Sequence, residues 1–308
     1  MPSTLSGILP VLPAPFDPSG EADLKAMERV ATFCIDAGAS GLVFPGVASE
    51  FDHLSLEERL SLLEVVCRVA KGRIPVISGG GKGSPEEIGN NVVRAKELGA
   101  VGAMVLIPSP FENDEKGASE FMRAVIENAP GVDIILQNAP VPIGAGLNAD
   151  ALSRIVNSCP AIRYVKEESL PSGPRISEIK ASAPDHLVGV IGGGGARYLI
   201  DEMNRGAIAA MPAAEITDIH VDMWNAYQSG NVAQARELYM RALPLLVIQT
   251  IYRMRLTKHI LALRGVLNNS IVRAPLPEFD SYDENELAVQ LKSLAGIMKL
   301  APVKTAAA

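Results

Sequence analysis

Eight short apolar stretches alternate with helical patterns along most of this chain, each strand–helix pair taking roughly 25–30 residues. The first stretch lies within Gly7–Phe16 and the last is Ala207–Met211. One helix start is marked by Ser84-Pro85-Glu86-Glu87, in which a capping serine precedes a first-turn proline and two acids. Alternating strands and helices predict a parallel sheet covered by helices. Eight such units predict an α/β protein with a (β/α)8 TIM barrel.

The strand pattern stops after the eighth unit. Helical spacing at Val232–Arg255, Thr257–Leu267 and Glu284–Lys299 predicts three further helices. We therefore predict a barrel domain over residues 1–229 and a C-terminal three-helix extension over residues 230–308. A doubly wound open sheet is the structural alternative, although nothing in the sequence marks a topological switch point.

Composition excludes several classes of partner. The net charge of −7 argues against nucleic acid, and no apolar run is long enough to span a bilayer. Without a basic segment followed by an apolar signal region, the protein is predicted to be soluble and cytoplasmic. The three cysteines are far apart and predicted to be reduced, and the four histidines show no metal-ligand spacing, so no metal is expected.

The sixth predicted strand carries the most reactive group of residues. It runs through Ile162–Val165 and is followed by Lys166, Glu167 and Glu168. Because side chains alternate along a strand, Lys166 and Glu168 share one face, and in a barrel that face points inward at the active-site end. A buried amine beside a carboxylate can form an imine with built-in acid–base help. The structural alternative is a salt bridge that closes the end of the strand.

Three other loops at strand ends contain residues suited to binding a ligand. Gly46-Val47-Ala48-Ser49-Glu50 follows the second strand, where its amides form either an anion-binding nest or an ordinary turn with a helix cap. Gln137-Asn138-Ala139-Pro140 follows the fifth strand, where two amides bind a ligand or only order the loop. Gly192-Gly193-Gly194-Gly195 follows the seventh strand and either makes room for a substrate or only adds flexibility.

Together these motifs resemble those of the dihydrodipicolinate synthase/N-acetylneuraminate lyase family, whose members are class I aldolase-type barrels. The resemblance extends along nearly the whole chain, including the helical tail. It is carried by Gly46–Glu50, by Leu54-Ser55-Leu56-Glu57-Glu58-Arg59, by Asn138 and Pro140, and by Val165-Lys166-Glu167.

The resemblance implies specific roles. Lys166 would form the imine with a small 2-oxo acid, and the backbone amides of Val47 and Ala48 would hold the substrate carboxylate. The protein would be a homotetramer, arranged as a dimer of dimers. No metal or organic cofactor would be required.

The chain also departs from the family pattern. Val47 and Ala48 stand where hydroxyl residues are usual, and Gln137 stands where tyrosine is usual. A further tyrosine is missing near residues 109–111, so all members of the proton relay of the synthases and lyases are absent. An amide cannot exchange a proton at useful pH, so either catalysis is lost or another group has replaced the relay. Glu168, where the family commonly has a small residue, is the candidate, with Ser49 as its assistant.

These departures resemble the 2-keto-3-deoxy-sugar-acid dehydratases of the family. We therefore predict a Schiff-base hydro-lyase that converts L-2-keto-3-deoxyarabonate into 2,5-dioxopentanoate and water, in pentose catabolism. Glu168 would serve alternately as base and acid beside Lys166. Gln137 and Asn138 would hold substrate hydroxyls, and the glycines at 192 and 193 would leave room for the substrate.

Two kinds of alternative stay open. The first is another imine enzyme on the same scaffold, either a 2-keto-3-deoxy acid aldolase or a hydroxypyrroline-carboxylate deaminase. The second is a non-catalytic barrel that only binds 2-oxo acids, which the missing relay favours. Product analysis separates them, because cleavage releases pyruvate, deamination releases ammonia and dehydration releases neither.

Overall fold

A computed structural model describes residues 4–301 of the chain. Strands and helices alternate in the predicted order up to the eighth helix, after which the described chain contains only helices. The strands are β1 Gly7–Ile8, β2 Leu42–Val43, β3 Val76–Gly79, β4 Gly102–Leu106, β5 Asp133–Asn138, β6 Ile162–Glu167, β7 Gly189–Gly192 and β8 Ala209–Ala210. The helices are α1 Leu24–Asp36, α2 Leu56–Ala70, α3 Pro85–Leu98, α4 Glu115–Glu127, α5 Ala149–Ser158, α6 Ser172–Ala181, α7 Leu199–Asn204, α8 Thr217–Gln228, α9 Val232–Leu263 and α10 Ser281–Leu294.

The chain forms two compact units, and the first contains Pro75–Met211 with the short segment that ends at Ser6. In this unit β3 to β8 are parallel, and each strand pairs with the next one along the chain. The C-terminal ends of these six strands therefore lie at one edge of the sheet. The functional residues predicted on the fifth, sixth and seventh strands all come to this edge.

The core of the first unit lies between one face of its strands and the helices that follow them. Val105, Leu136, Val165 and Val190 point to that side from four neighbouring strands and are fully buried. Burying one such side chain contributes roughly 1.5–3 kcal/mol, so this face is strongly specified. Because strand side chains alternate, Lys166 is directed to the opposite face from Val165.

The second unit contains Gly7–Ile74 and the chain from Pro212 onwards. Its strand segments are short, and Val11 bridges in parallel to both Val43 and Ala213. Helix α8 packs along α9. The predicted boundary between residues 229 and 230 stays a prediction.

Two helix starts are set by local capping residues. Ser84 accepts a hydrogen bond from the amide of Glu87 at 3.2 Å, and the Glu87 carboxylate accepts one from the amide of Ser84 at 2.7 Å. Ser55 and Glu58 form the same reciprocal pair at the start of α2. Each pair satisfies two amides that a helix start leaves without partners. The predicted start at Ser84 is confirmed.

The C-terminal helices differ from the prediction, and the helix predicted at Glu284–Lys299 is α10, Ser281–Leu294. Val232–Arg255 and Thr257–Leu267 were predicted as two helices, but the structure has one helix, α9, interrupted at Arg253. There the backbone has φ 46° and ψ −120°, which kinks the helix without ending it. Residues 302–308 of the predicted extension lie outside the described residues. No helix within residues 4–301 is both long and apolar enough to cross a membrane.

Candidate active site

Lys166 lies near the end of β6, on a strand whose last three residues are buried. Its Nζ atom is 3.0 Å from Oε1 of Glu168, and the two side chains are 6% and 20% exposed. The predicted alternation thus brings these two residues together on one face. A lysine amine next to a carboxylate, with a limited opening to solvent, is suited to imine formation with a carbonyl compound.

Glu168 is held as an anion by the groups around it. Gln137 Nε2 donates a hydrogen bond of 2.6 Å to Glu168 Oε1, and the backbone amide of Gly194 also donates to the carboxylate. Burial acts to raise the pKa of Glu168, but the Lys166 ammonium and these two donors outweigh it. The pKa of Glu168 is therefore lowered, and the carboxylate can act as a base at neutral pH.

Gln137 and Asn138 were predicted to lie in a loop after the fifth strand, and this is corrected by the structure. Both are the last residues of β5, where Gln137 pairs with Lys166 and Asn138 pairs with Glu167. Consecutive strand residues face opposite sides, so only Gln137 shares the face of Lys166. Amide side chains are common in loops, so the sequence suggested that the fifth strand ends before Gln137.

Asn138 and Glu167 belong to a buried network on the other face. Asn138 Nδ2 donates to the Leu147 carbonyl at 3.0 Å and to Glu167, while its Oδ1 accepts from the Leu147 amide at 3.0 Å. Glu167 also accepts from the Ser169 amide at 2.6 Å, and Arg175 Nε lies 3.4 Å from its carboxylate. Burial raises the pKa of Glu167, while Arg175 and Asn138 oppose that shift. The structure therefore does not bring Asn138 into the group around Lys166.

Gly192 and Gly193 were predicted to leave room for a substrate, but carboxyl groups of the protein occupy the space beside them. A Cβ atom on Gly193 would lie 2.3 Å from Glu168 Cγ, and one on Gly192 would lie 2.0 Å from Glu202 Oε2. The missing side chains thus make room for Glu168 and Glu202 of the protein itself.

Residues Gly46–Glu50, in the second unit, form what we call the 46–50 turn. Val47–Ser49 is a single 3-10 turn, so the amides of Val47 and Ala48 lie at its start, where helical amides lack an internal partner. Ser49 is fully buried, and its hydroxyl donates to the Leu12 carbonyl at 2.5 Å and accepts from the Gly46 amide at 2.9 Å. The Ser49 hydroxyl therefore holds the turn together. Its proton is already donated to the Leu12 carbonyl and is not available to a substrate.

Comparison with known proteins decides the family. The sequence matches the model of the dihydrodipicolinate synthetase family over residues 4–294. The chain belongs to that family. The predicted family resemblance is confirmed.

Several members of the family are similar over most of their length. The L-2-keto-3-deoxyarabonate dehydratase of Azospirillum brasilense is 29% identical over 285 residues, covering 91% of this chain and 92% of its own. The 4-hydroxy-tetrahydrodipicolinate synthase of a Hydrogenobaculum species is 28% identical over 291 residues, covering 94% and 98%. The crystal structure of dihydrodipicolinate synthase from Rhodopseudomonas palustris matches with a TM-score of 0.88 at 23% identity, over 94% of this chain and 98% of that one.

The structural likeness confirms the predicted fold class, a (β/α)8 barrel with a C-terminal helical extension. Family membership supports a lyase or aldolase. Similarity to both a dehydratase and a synthase leaves the individual reaction to be argued from the site. Within residues 4–301 no three His, Cys, Asp or Glu side chains are grouped so as to hold a metal.

Glu202, whose carboxylate approaches Gly192 closely, was not predicted from the sequence. Its side chain is fully buried on α7, and Ser172 donates a hydrogen bond of 2.8 Å to its Oε1. Burial raises the pKa of Glu202 to about 7, with a further contribution from the nearby Glu168 carboxylate. Its Oε2 has no hydrogen-bond partner in the part of the chain that the structure describes. The one sequence signal was Gly192, since a glycine in a strand indicates close approach by another group.

Proposed function

We propose that this chain is a Schiff-base-forming hydro-lyase that dehydrates L-2-keto-3-deoxyarabonate to 2,5-dioxopentanoate and water. The observation that carries the proposal is the 3.0 Å contact between Lys166 Nζ and Glu168 Oε1 on one face of a buried strand end. It supplies a nucleophile and a base within one hydrogen bond of each other, as the reaction requires. The similarity to the Azospirillum dehydratase supports the same reaction.

The first half of the mechanism makes the imine. The Lys166 ammonium gives a proton to Glu168, and the neutral amine attacks the C2 ketone to form a carbinolamine. Glu168 returns this proton to the carbinolamine hydroxyl, which leaves as water. The resulting protonated imine places a positive charge close to the Glu168 carboxylate. Opposite charges about 4 Å apart attract by about 4 kcal/mol at an effective dielectric constant of 20, so Glu168 stabilises this intermediate.

The second half removes the hydroxyl group. Glu168 takes a proton from C3 to give an enamine, and the same proton then goes to the C4 hydroxyl, which leaves as water. Loss of a C5 proton then gives a dienamine, which takes up a proton at C3. The remaining C5 enol takes up a proton at C4 and loses its hydroxyl proton, so that C5 becomes an aldehyde. Hydrolysis of the imine takes up the water released in its formation, so one water is lost overall. A single carboxyl near C3 and C4 is sufficient for this sequence.

Gln137 positions the catalytic carboxylate in this proposal. Its amide donates 2.6 Å from Glu168 Oε1, so the hydrogen bond fixes the carboxylate without exchanging a proton. We give this positioning role to Gln137 ahead of the contact with substrate hydroxyls that the sequence suggested. Asn138, whose amide is bonded to Glu167 and Leu147, would support the strand end instead.

The remaining predicted contacts are part of the proposal. The amides of Val47 and Ala48 would hold the substrate carboxylate, and the backbone of Gly192 and Gly193 would border the sugar-acid chain. Ser49 would act by keeping the turn in shape. No metal or organic cofactor takes part in this mechanism.

We also propose a homotetrameric, cytoplasmic enzyme. Support for assembly comes from α9, where Met240, Val247 and Ile251 are more than half exposed. Residues seven and eleven positions apart lie on the same side of a helix, so these three form one apolar stripe. Light scattering of the purified protein measures the mass directly, and a monomeric mass would remove the tetramer from the proposal.

A 2-keto-3-deoxy acid aldolase is the second candidate, favoured by the similarity to a 4-hydroxy-tetrahydrodipicolinate synthase. The deaminase and the non-catalytic 2-oxo-acid-binding barrel have no comparable support. The deciding experiment supplies a panel of 2-keto-3-deoxy acids of both C4 configurations and identifies the products by mass spectrometry. Dioxopentanoate without pyruvate or ammonia supports the proposal, whereas pyruvate indicates an aldolase and ammonia a deaminase.

Borohydride trapping tests the nucleophile separately. Reduction in the presence of pyruvate is expected to label Lys166 and no other lysine. Labelling that survives in Lys166→Ala would overturn the assignment. No labelling of the wild-type chain would favour the binding-protein hypothesis.

A further inference from the structure

Glu50, the last residue of the 46–50 turn, is held in an unusual conformation. Its backbone has φ 56° and ψ 38°, in the left-handed region that non-glycine residues seldom adopt. Such a conformation persists only where the surroundings fix it. The Glu50 side chain is also completely buried, so its charge needs partners within the protein.

The C-terminal part of the chain supplies three partners for the Glu50 carboxylate. Lys258 Nζ, on α9, donates to Glu50 Oε1 at 2.5 Å. The backbone amides of Arg273 and Ala274 each donate to Glu50 Oε2 at 2.7 Å. Hydrogen bonds between charged partners are about twice as strong as neutral ones, so the ammonium is the strongest of these contacts.

Lys258 is itself enclosed on several sides. Its side chain is 1% exposed, its Nζ donates a second hydrogen bond of 2.8 Å to the Ile271 carbonyl, and it lies 4.0 Å from the centre of the Phe16 ring. Burial lowers the pKa of Lys258 to about 8, against the opposing effect of Glu50. Such an ammonium has no access to a ligand, and its contacts serve to fix geometry.

Arg273 extends the same connection. Its guanidinium forms two hydrogen bonds with the carboxylate of Glu58, of 3.0 and 2.6 Å, and stacks 4.2 Å above the Phe16 ring. Glu58 belongs to the first turn of α2, which follows the 46–50 turn in the chain. The segment around Arg273 therefore contacts the chain both at Glu50 and just beyond it.

The kink in α9 is a second, independent observation. Arg253, five residues before Lys258, has φ 46° and ψ −120° within an otherwise helical segment. A non-glycine residue in this region is strained, and strain is retained where a particular geometry is needed. The kink redirects the last part of α9, which is the part that carries Lys258.

We propose that the C-terminal helical extension fixes the shape of the 46–50 turn through Lys258, which makes Lys258 and Glu50 positioning residues for substrate-carboxylate binding. The inference rests on the proposed function, in which the amides of Val47 and Ala48 hold that carboxylate. Without the ammonium, the buried Glu50 charge loses its strongest partner and the turn relaxes. Binding of the carboxylate then weakens, whereas the imine chemistry of Lys166 is preserved.

The chain offers a closely matched control. Arg264, at the C-terminal end of α9, forms a buried pair with Asp218 at 2.7 Å, and the two side chains are 0% and 2% exposed. This pair joins α9 to α8 and has no hydrogen bond to the 46–50 turn within the described chain. Arg264→Met therefore removes an equally buried ion pair of the extension without touching the turn.

The experiment compares Lys258→Met, Arg264→Met and the wild-type chain by borohydride trapping at Lys166. Pyruvate and hydroxyacetone serve as probes, because the second ketone lacks the carboxylate. For Lys258→Met we expect the half-saturating pyruvate concentration to rise roughly tenfold or more, with the maximal trapping rate changed less than about threefold. The half-saturating concentration of hydroxyacetone should not change in Lys258→Met. In Arg264→Met the half-saturating concentrations of both probes should stay within about twofold of the wild type.

Two results would overturn the inference. One is a half-saturating pyruvate concentration for Lys258→Met that equals that of the wild type. The other is an equal rise in Lys258→Met and Arg264→Met, which would mean general loosening of the extension. If the wild-type chain itself traps no pyruvate at Lys166, the proposed function fails rather than this inference.

Hydrogen exchange supplies a readout that needs no activity. Amides of residues 47–49 should exchange faster in Lys258→Met than in Arg264→Met, and equal exchange would contradict the proposal. If Lys258→Met does not fold, Glu50→Gln takes its place, because glutamine keeps an acceptor for the Arg273 and Ala274 amides. The same shift in pyruvate binding, smaller in size, is expected, and its absence would equally overturn the inference.

Discussion

The chain contains two lysine–glutamate pairs that are alike in composition and different in surroundings. Lys258 and Glu50 are 2.5 Å apart, with side chains 1% and 0% exposed. Lys166 and Glu168 are 3.0 Å apart, and a fifth of the Glu168 side chain is exposed. Distance alone does not separate a structural ion pair from a reactive one.

The difference lies in how completely each pair is enclosed. Glu50 accepts two backbone amides besides the ammonium, and Lys258 donates to a carbonyl and contacts an aromatic ring. Those contacts leave no approach for a carbonyl carbon. Glu168 is held by Gln137 and the Gly194 amide, and a fifth of its side chain stays exposed. A pair that is fixed on one side and open on the other can exchange protons with a substrate.

The largest expected effect is on turnover in Glu168→Gln. Glutamine keeps the size and hydrogen bonding of the side chain but cannot carry a proton, so kcat should fall by roughly 10²–10⁴-fold. Imine formation should survive because Lys166 is unchanged, and a substrate-derived imine should accumulate and be trapped by borohydride. Glu167→Gln, on the other strand face, should reduce kcat by less than about tenfold. Near-wild-type turnover of Glu168→Gln, or a larger loss in Glu167→Gln, contradicts the mechanism.

The comparison predicts a second effect, on stability. Lys258→Met leaves a buried Glu50 charge unpaired and should lower the free energy of unfolding by about 3–5 kcal/mol. Lys166→Met should lower it by less than about 2 kcal/mol, because Glu168 reaches solvent. Urea denaturation of both variants measures the difference. Equal losses would show that the two pairs are enclosed to the same extent.

The third effect, intermediate in size, is a pH-dependent change in stability at Glu202. This buried glutamate accepts a hydrogen bond from the Ser172 hydroxyl. Burial raises the pKa of Glu202 from 4.5, its value in the unfolded chain, to about 7. The stability that this shift contributes to the fold is fully present below pH 4.5. That contribution is lost as the pH rises from 4.5 through 7. Glu202→Gln should therefore gain stability relative to the wild type between pH 4.5 and pH 8, by up to about 3 kcal/mol.

The control for this prediction is Glu178→Gln, which changes an exposed glutamate on α6. Urea denaturation at pH 4.5 and pH 8 gives the stability of each variant. The difference between Glu178→Gln and the wild type should be the same at both pH values. A Glu202→Gln difference that is also independent of pH would mean that burial does not raise the pKa of Glu202 in the folded protein.

The smallest expected effect is at Val47. If the carboxylate is held by backbone amides, the side chain matters only through its shape. Val47→Thr should keep pyruvate binding within about tenfold, or about 1.4 kcal/mol. Isothermal titration of both proteins measures the change, and a loss far above tenfold would move the carboxylate away from this turn.

The reactive face of β6 was predictable from sequence because period-two alternation is a local property. Lys166 and Glu168 are two residues apart, so their shared face follows from the strand itself. The start of α3 was equally predictable, since Ser84 and Glu87 cap it through contacts three residues apart. The (β/α)8 class followed from eight repetitions of such local patterns.

Other features depend on contacts that leave no local pattern. Glu50 and Lys258 are separated by 208 positions, and neither stands in a segment that suggests a buried charge. Glu202 lies on a short helix where an acid is ordinary composition, so its burial was not predictable. The end of β5 was misplaced because Gln137 and Asn138 look like loop residues until their partners on β6 are known.

The glycine at 193 restricts the order in which this site can change. Because a Cβ atom there would lie 2.3 Å from Glu168 Cγ, any other residue at 193 displaces the carboxylate. An ancestor with a side chain at 193 had to lose it before a glutamate at 168 could settle in its present place. The same order applies to engineering: a relative with a small residue at the equivalent of 168 accepts the glutamate only after the facing position has been changed to glycine.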